Sequence, residues 1–399
     1  MEAVYLDHAA TTPMVPEAIA ALTEQLTRTG NASSLHAAGR AARRVVEESR
    51  ERIAAVLGAH PGEVVFTSGG TEADNLALKG LFWRARAADP RRTRVLVSAI
   101  EHHAVLDPAL WLAEHEHAQV ELLPVDTDGR LRIDALAEAL AADPGSVAVV
   151  SVMAANNEVG TLQPVAEVVE LARAQQIPVH VDAVQAAGHR AIDFAGCGAD
   201  ALTVTGHKLG GPYGVGALLL RRGLDATALL HGGGQERDVR SGTLDPPAIA
   251  AFAAALVLAE ERRTHETARL EALRTRLVDG ILARVPDARV NGDPDPAGRL
   301  PHIAHLSFPG CEGDSLLMLL DAQQIACSTG SACSAGVPQA SHVLLAMGRE
   351  EDEARSSLRF SLGHTSTGAD IDRVLAEIVP VVERARAAGA LSAARRSLR

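Results

Sequence analysis

The sequence is poor in cysteine and almost without lysine. Four cysteines in 399 residues, Cys197, Cys311, Cys327 and Cys333, are too few and too unevenly spaced for a disulfide framework, and none pair at the C-x-x-C spacing of structural zinc. A reducing compartment fits, where one of them is free to act as a working thiol. Long apolar runs are missing too: nowhere do about eighteen uncharged apolar residues follow one another, which excludes a spanning helix. The first ten residues carry Glu2 and Asp7 and no basic region, so no secretory leader is expected and the reading is a soluble, cytoplasmic protein. Positive charge is in deficit, 38 basic residues against 50 acidic ones and a net charge of −12, so phosphate backbones and anionic headgroups are repelled. Neither nucleic acid nor membrane is expected as the main partner. Glycine (34) and proline (19) are at ordinary levels, which excludes collagen-like and low-complexity architecture.

What is present is a chain long enough for roughly two to three domains with a sizeable core. Only two of its 38 basic residues are lysines, Lys79 and Lys208. Arginine cannot form a Schiff base because its guanidinium does not deprotonate, so a lysine kept in so arginine-rich a chain draws attention to itself.

Short apolar runs alternate with helical patterns. Val64-Val65-Phe66 leads through Gly69 and Gly70 into an amphipathic segment from Thr71 to about Ala88, and Val95-Leu96-Val97 leads into Ala104 to Glu116. Val147 to Met153, Val179 to Val181, Ala201 to Thr205 and Gly214 to Leu220 continue the series. Strands apolar on both faces and separated by helices predict a mainly parallel sheet covered on both sides, with ligands beyond the strands' carboxyl ends. Near Pro246 the pattern changes to a long Ala/Leu helix, and a smaller unit follows with strands near Ile303 to Phe308 and Ser357 to Ser361.

Three features would meet at one sheet edge. Ser68-Gly69-Gly70-Thr71-Glu72-Ala73-Asp74, between a strand and a helix, resembles a phosphate cup; a plain capping box with Thr71 as N-cap and Asp74 as its N3 partner explains it about as well. It matches neither G-x-x-x-x-G-K nor G-x-G-x-x-G, which favours a simpler phosphate than a nucleotide. Asp182 closes one buried strand, with Gln185 a turn further on, and Lys208 follows the next strand. An anion anchor, an acid and a lysine are what pyridoxal phosphate requires: a phosphate site, a partner for the pyridinium nitrogen and a Schiff-base amine. His102 lies just past another strand, where it could stack on a ring or move protons. Cys333, in Thr329-Gly330-Ser331-Ala332-Cys333-Ser334-Ala335-Gly336, has no apolar neighbours and is the best nucleophile of the four thiols; Cys197, Cys311 and Cys327 read as inert.

These residues resemble the pyridoxal-phosphate-dependent cysteine desulfurases of the NifS/IscS type, in the class V aminotransferase group. The likeness runs through Tyr5 to Pro13, Phe66 to Glu72, Glu101 to Asp107, Asn156 to Gly160, Val181 to Gln185, Gly206-His207-Lys208, Gly232 to Arg237, Arg240 to Thr243 and Thr329 to Cys333. It implies an α/β fold of the type I aminotransferase kind, a large domain with a mainly parallel seven-stranded sheet plus a smaller α+β domain. The division expected is 14–260 for the large domain and 1–13 with 261–399 for the small one, which carries the cysteine loop.

The same resemblance makes Lys208 the Schiff-base lysine, Asp182 the ring-nitrogen partner, and Asn157 and Gln185 hydrogen-bond partners near the ring hydroxyl. It makes His102 a stacking acid–base residue and Cys333 the persulfide carrier. Gly70, Thr71, Thr205 and His207 would hold the phosphate, with Thr243 reaching in from the second subunit of a homodimer. Arg359, with Asn157, would bind the carboxylate of L-cysteine. Sulfur would pass to an acceptor such as an iron–sulfur scaffold protein or a tRNA-thiolation enzyme. Eight residues separate Cys333 from His342, similar to the long loop of the iron–sulfur group and unlike the shorter one of selenocysteine lyases. The alternatives are a selenocysteine lyase or another class V lyase or aminotransferase, and, outside enzymes of this fold, a dinucleotide-binding or sulfur-carrier module.

Overall fold

The runs of valine and leucine that punctuate the chain have no polar side chains to offer water, so they satisfy their backbones by pairing in a covered sheet. The structure, a computed structural model, describes residues 3–330 and 340–396, with side chains described to residue 388. Its strands are β1 (Val4–Tyr5), β2 (Val64–Thr67), β3 (Arg94–Ser98), β4 (Gln119–Leu123), β5 (Val147–Met153) and β6 (Val179–Asp182), followed by β7 (Ala201–Thr205), β8 (Gly216–Leu220), β9 (Arg289–Asn291), β10 (Ile303–Ser307), β11 (Ile325–Ala326) and β12 (Ser357–Ser361). The helices are α1 (Pro16–Leu26), α2 (Ala37–Val56), α3 (Gly70–Ala88), α4 (His103–Glu116), α5 (Ile133–Ala142) and α6 (Val165–Ala174), then α7 (Phe194–Cys197), α8 (Pro246–Arg284), α9 (Gly313–Asp321), α10 (His342–Ala346), α11 (Glu351–Arg355) and α12 (Gly368–Arg396).

Seven strands form the main sheet in the order β2-β8-β7-β6-β5-β3-β4, with β8 alone antiparallel to its neighbours. All seven residues of β5 are buried, as are those of β2, β3, β6, β7 and β8. Strand β4 was not anticipated from the sequence: it is a half-exposed edge strand, so Gln119 to Leu123 lacks the apolar run that marks the others. Separate apolar clusters cover the two faces, one built with α8 and the other with α3 and α4.

A three-stranded sheet, β12-β10-β9, and the parallel pair β1–β11 make up the rest. Val4 and Leu6 pack into the cluster formed by Leu270 to Ala385, so the first residues of the chain share a core with its last third. The long helix expected near Pro246 is one continuous α8 of 39 residues, started by Asp245, whose side chain accepts the Ala248 N–H at 3.1 Å. Its first half, Ala248 to Leu256, is buried against the main sheet, and Leu270 to Ile281 are buried in the C-terminal cluster. One rigid rod therefore fixes the three-stranded sheet against the carboxyl edge of the main one.

Candidate active site

That edge collects chemistry because β2, β3, β5, β6 and β7 all point their carboxyl ends to it. A cavity of about 410 Å³ opens there. Gly70, Thr71, His102, Asn157 and Asp182 line it, and so do Gln185, Thr205, His207, Lys208 and Arg359. Of the described residues to which the resemblance gives a role at the site, Thr243 alone is absent from the lining; its side chain is exposed on the loop before α8. Cys333 falls outside the described residues.

Of the two readings of this segment, the capping box does not form. Helix α3 starts at Gly70 with Gly69 as N-cap and no side-chain cap, and the backbone of Gly69 (φ 148°, ψ −177°) lies where side chains are not tolerated. Glu72, not Asp74, folds back, accepting the Ser68 N–H at 2.7 Å, while Asp74 is turned into the interior. The amides of Gly70 and Thr71 belong to a first helical turn, whose N–H groups have no acceptor within the helix, and both residues line the cavity.

Lys208 Nζ donates to the carbonyl of Ala10 at 2.7 Å and to that of Ala9. Burial and then the Arg359 charge push its ammonium down to about 8, against the opposing pull of Asp7 and Asp182. Asp182 is 6% exposed, and its Oδ1 accepts the Val184 N–H at 2.9 Å. Burial, with the carboxyl of Asp74 close by, raises its carboxyl well above the ordinary range. Gln185 Nε2 donates to Ala9 O at 2.8 Å, and His207 Nδ1 lies 3.3 Å from Thr11 Oγ1, so both are tied to the segment 9–11.

His102 caps α4, its Nδ1 accepting the Ala104 N–H at 3.1 Å. Its ring reaches solvent at the cavity mouth, yet the surrounding walls and then Lys208 hold its imidazole below the ordinary range. Arg359, on β12, is buried; it donates to Asp7 Oδ1 and to the carbonyl of Asn157, both at 2.8 Å, and its Nε has no partner. The remaining cysteines are no rivals as nucleophiles: Cys311 and Cys327 are buried, Cys197 is half-buried, and burial pushes each thiol up, Cys327 to about 12.

Several neighbours carried no signal of their own. Asp7 is 352 residues from the arginine it pairs with. Glu158 receives the Ser341 hydroxyl on Oε2 at 2.5 Å, and His342 Nε2 lies 2.9 Å from the Glu101 carbonyl, which fixes the start of α10 at the site. Glu101 is wholly buried, a fact that the Glu-His-His string does not announce.

A model of the class-V aminotransferase family matches residues 4–374. A curated relative, an "IscS-like cysteine desulfurase" of Mycobacterium tuberculosis, is 55% identical over 390 residues, 98% of each chain. A "cysteine desulfurase" of Cereibacter sphaeroides is 45% identical over 391 residues, 97% of each. Among solved structures, a "NifS-like protein" superposes with a TM-score of 0.88 at 33% identity, over 96% of this chain and 100% of that one. Another, "SspA in complex with cysteine", has a TM-score of 0.77 at 31% identity, over 90% and 98%. The chain belongs to the class-V aminotransferase family and, within it, to the cysteine desulfurases. No helix among the described residues is long and apolar enough to cross a membrane.

Proposed function

We propose that this chain is a pyridoxal 5'-phosphate-dependent enzyme that converts L-cysteine to L-alanine and takes up the sulfur as a persulfide on Cys333. The observation that carries the reading is the meeting, in one cavity, of a desolvated lysine, a buried strand-end carboxyl and the open first turn of a 19-residue helix. The residues fit the cofactor. A Cβ on Gly70 would come within 3.1 Å of Val184 and 3.8 Å of Thr205, so glycine keeps the floor of the cup open to an anion. Gly70, Thr71, Thr205 and His207 would hold the phosphate there, with Thr243 supplied by a second subunit. Asp182 would hold the ring-nitrogen proton, and Gln185 and Asn157 would flank the ring hydroxyl.

When bound, the cofactor supplies an aldehyde for the substrate amine and a ring that accepts electrons from its Cα. Lys208, with its proton held only to about pH 8, offers a neutral amine that can attack a carbonyl and take a proton from Cα. Arg359 orients the substrate carboxylate, exchanging its contact with Asp7 for a bidentate one. His102, neutral at the mouth, moves protons to and from the substrate. The Cys333 thiolate attacks the substrate sulfur: an S–S bond forms, the Cβ–S bond breaks with its electron pair left on carbon, and protonation gives alanine. A homodimer in the cytoplasm, passing sulfur on to a protein acceptor, completes the proposal, with 14–260 as the large domain and 1–13 with 261–399 as the small one.

The test is incubation with L-cysteine, following alanine and mapping added sulfur by mass spectrometry. Cys333→Ala should keep the cofactor's visible absorbance and its change on adding L-cysteine, and lose the persulfide and all sulfide release. Near wild-type sulfide release by that variant, or added sulfur on another cysteine, would overturn the mechanism.

A further inference from the structure

Asp182, Glu101 and Asp74, from three different elements, are buried near one another at the strand ends, and of these only Asp182 has a role in the reaction proposed above. Glu101, in the turn after β3, is 0% exposed, and Asp74, in the second turn of α3, is 1% exposed. The Oε1 of Glu101 accepts the Met153 N–H at 2.6 Å, and Met153 is the register partner of Asp182 across β5 and β6. Glu101 Oε2 has no hydrogen-bond partner. Asp74 Oδ1 is likewise without one and lies 3.5 Å from His180 Nε2. His180 sits two residues before Asp182 on the same face of β6, its Nδ1 2.9 Å from Ser151 Oγ and its Nε2 3.0 Å from Thr203 Oγ1.

Three carboxylates cannot all be charged in so dry a place. Which one keeps the charge is decided by the groups that face each of them. Asp182 faces the Val184 N–H, the Lys208 nitrogen and, in the loaded chain, the ring nitrogen assigned to it above. Glu101 faces one amide and no cation, since His342 bonds its carbonyl and not its carboxyl. Asp74 faces the Thr203 hydroxyl and His180, a ring that burial keeps neutral.

We propose that Glu101 and Asp74 are positioning residues that stay protonated, so that Asp182 carries the one negative charge of the three and holds the proton of the bound ring nitrogen. The inference rests on the assignment of Asp182 to that nitrogen. A second charge beside Asp182 would oppose the electron density that the reaction moves onto the ring, and two neutral acids remove that penalty without widening the pocket.

The test uses the full chain loaded with pyridoxal phosphate at pH 7. Infrared spectra in light and heavy water should show protonated-carboxyl bands, of which Glu101→Gln removes one and Asp74→Asn another. Both variants are isosteres of a protonated acid, so the pH midpoint of the visible absorbance should move by less than about 0.3 unit in either, whereas Asp182→Asn should move it by roughly a unit or more. Missing bands in the wild type, or a shift of about a unit in either amide variant, would mean that the acids are charged and overturn the proposal. An Asp182→Asn variant with an unmoved midpoint and both bands present would instead remove the assignment of Asp182, and with it the second half of the proposal.

Discussion

At the scale of single residues, the two lysines have opposite fates that their environments explain. Lys79 Nζ lies 4.2 Å over the Trp111 ring, an ordinary cation–π contact on the outer side of α3, while Lys208 is turned inward among carbonyls. Lys208→Ala should abolish the borohydride-sensitive visible absorbance, and Lys79→Ala should keep it; an absorbance that persists in the first variant would remove Lys208 from its role. His305 gives a prediction about stability. It is wholly buried, Asn291 Nδ2 donates to its Nδ1 at 3.1 Å, and burial, with the Arg359 charge, pushes its imidazole down to about 3. Its pKa in the unfolded chain is higher, so between about pH 6.5 and pH 3 the unfolded state binds a proton there that the folded state refuses, and acid favours unfolding. Denaturant titrations of wild type and His305→Asn should show the wild type losing roughly 2 kcal/mol more than the variant between pH 7 and pH 5. Equal losses would mean that the ring is solvated.

At the scale of elements, the phosphate cup depends on a strand as much as on a helix. A Cβ on Gly216, at the start of β8, would lie 2.9 Å from the backbone of Gly69 and 2.8 Å from the carbonyl of Val204, and no flexible side chain is there to yield. Gly216→Ala should push the cup away from β7 and weaken cofactor binding by about tenfold or more, read as a dissociation constant by titrating the visible absorbance, with near-native far-ultraviolet dichroism. Unchanged affinity would mean that the loop relaxes without cost. The same region marks what the sequence could reveal. Gly69-Gly70, Asp182 and Lys208 were legible because each ends or follows a buried strand, and the carboxyl edge brings them together whatever the loops do. The choice between cup and capping box stayed open in the sequence because Thr71-x-x-Asp74 has the letters of a capping box, while the buried network around His180 takes Asp74 away from the helix end. Edge strand β4 and the Asp7–Arg359 pair stayed hidden, the first for want of apolar residues and the second because only the tertiary fold joins residues so far apart.

At the scale of the whole molecule, the open question is whether one chain builds a complete site. The loop bearing Thr243 is anchored at two points. Arg50 and Glu236 form a buried ion pair at 2.7 Å, with Glu236 also accepting the Phe66 N–H, and Arg240 pairs with Glu72 at 2.8 Å. Removing one partner of such a buried pair typically costs about 3–5 kcal/mol, so the loop is held firmly, yet Thr243 remains exposed and outside its own chain's cavity. A firmly held polar side chain that serves nothing in its own chain suits a contact across a dimer. Complementation decides it. Lys208→Ala alone should be inactive, and Thr243→Ala alone should bind the cofactor poorly. In a mixed dimer of the two, one site combines the intact Lys208 of one chain with the intact Thr243 of the other. Unfolding and refolding the two variants together at equal amounts should therefore restore alanine formation to about a quarter of the wild-type level, since half the dimers are mixed and each has one good site. No recovery, with dimers present by sedimentation, would place Thr243 at its own chain's phosphate or at none.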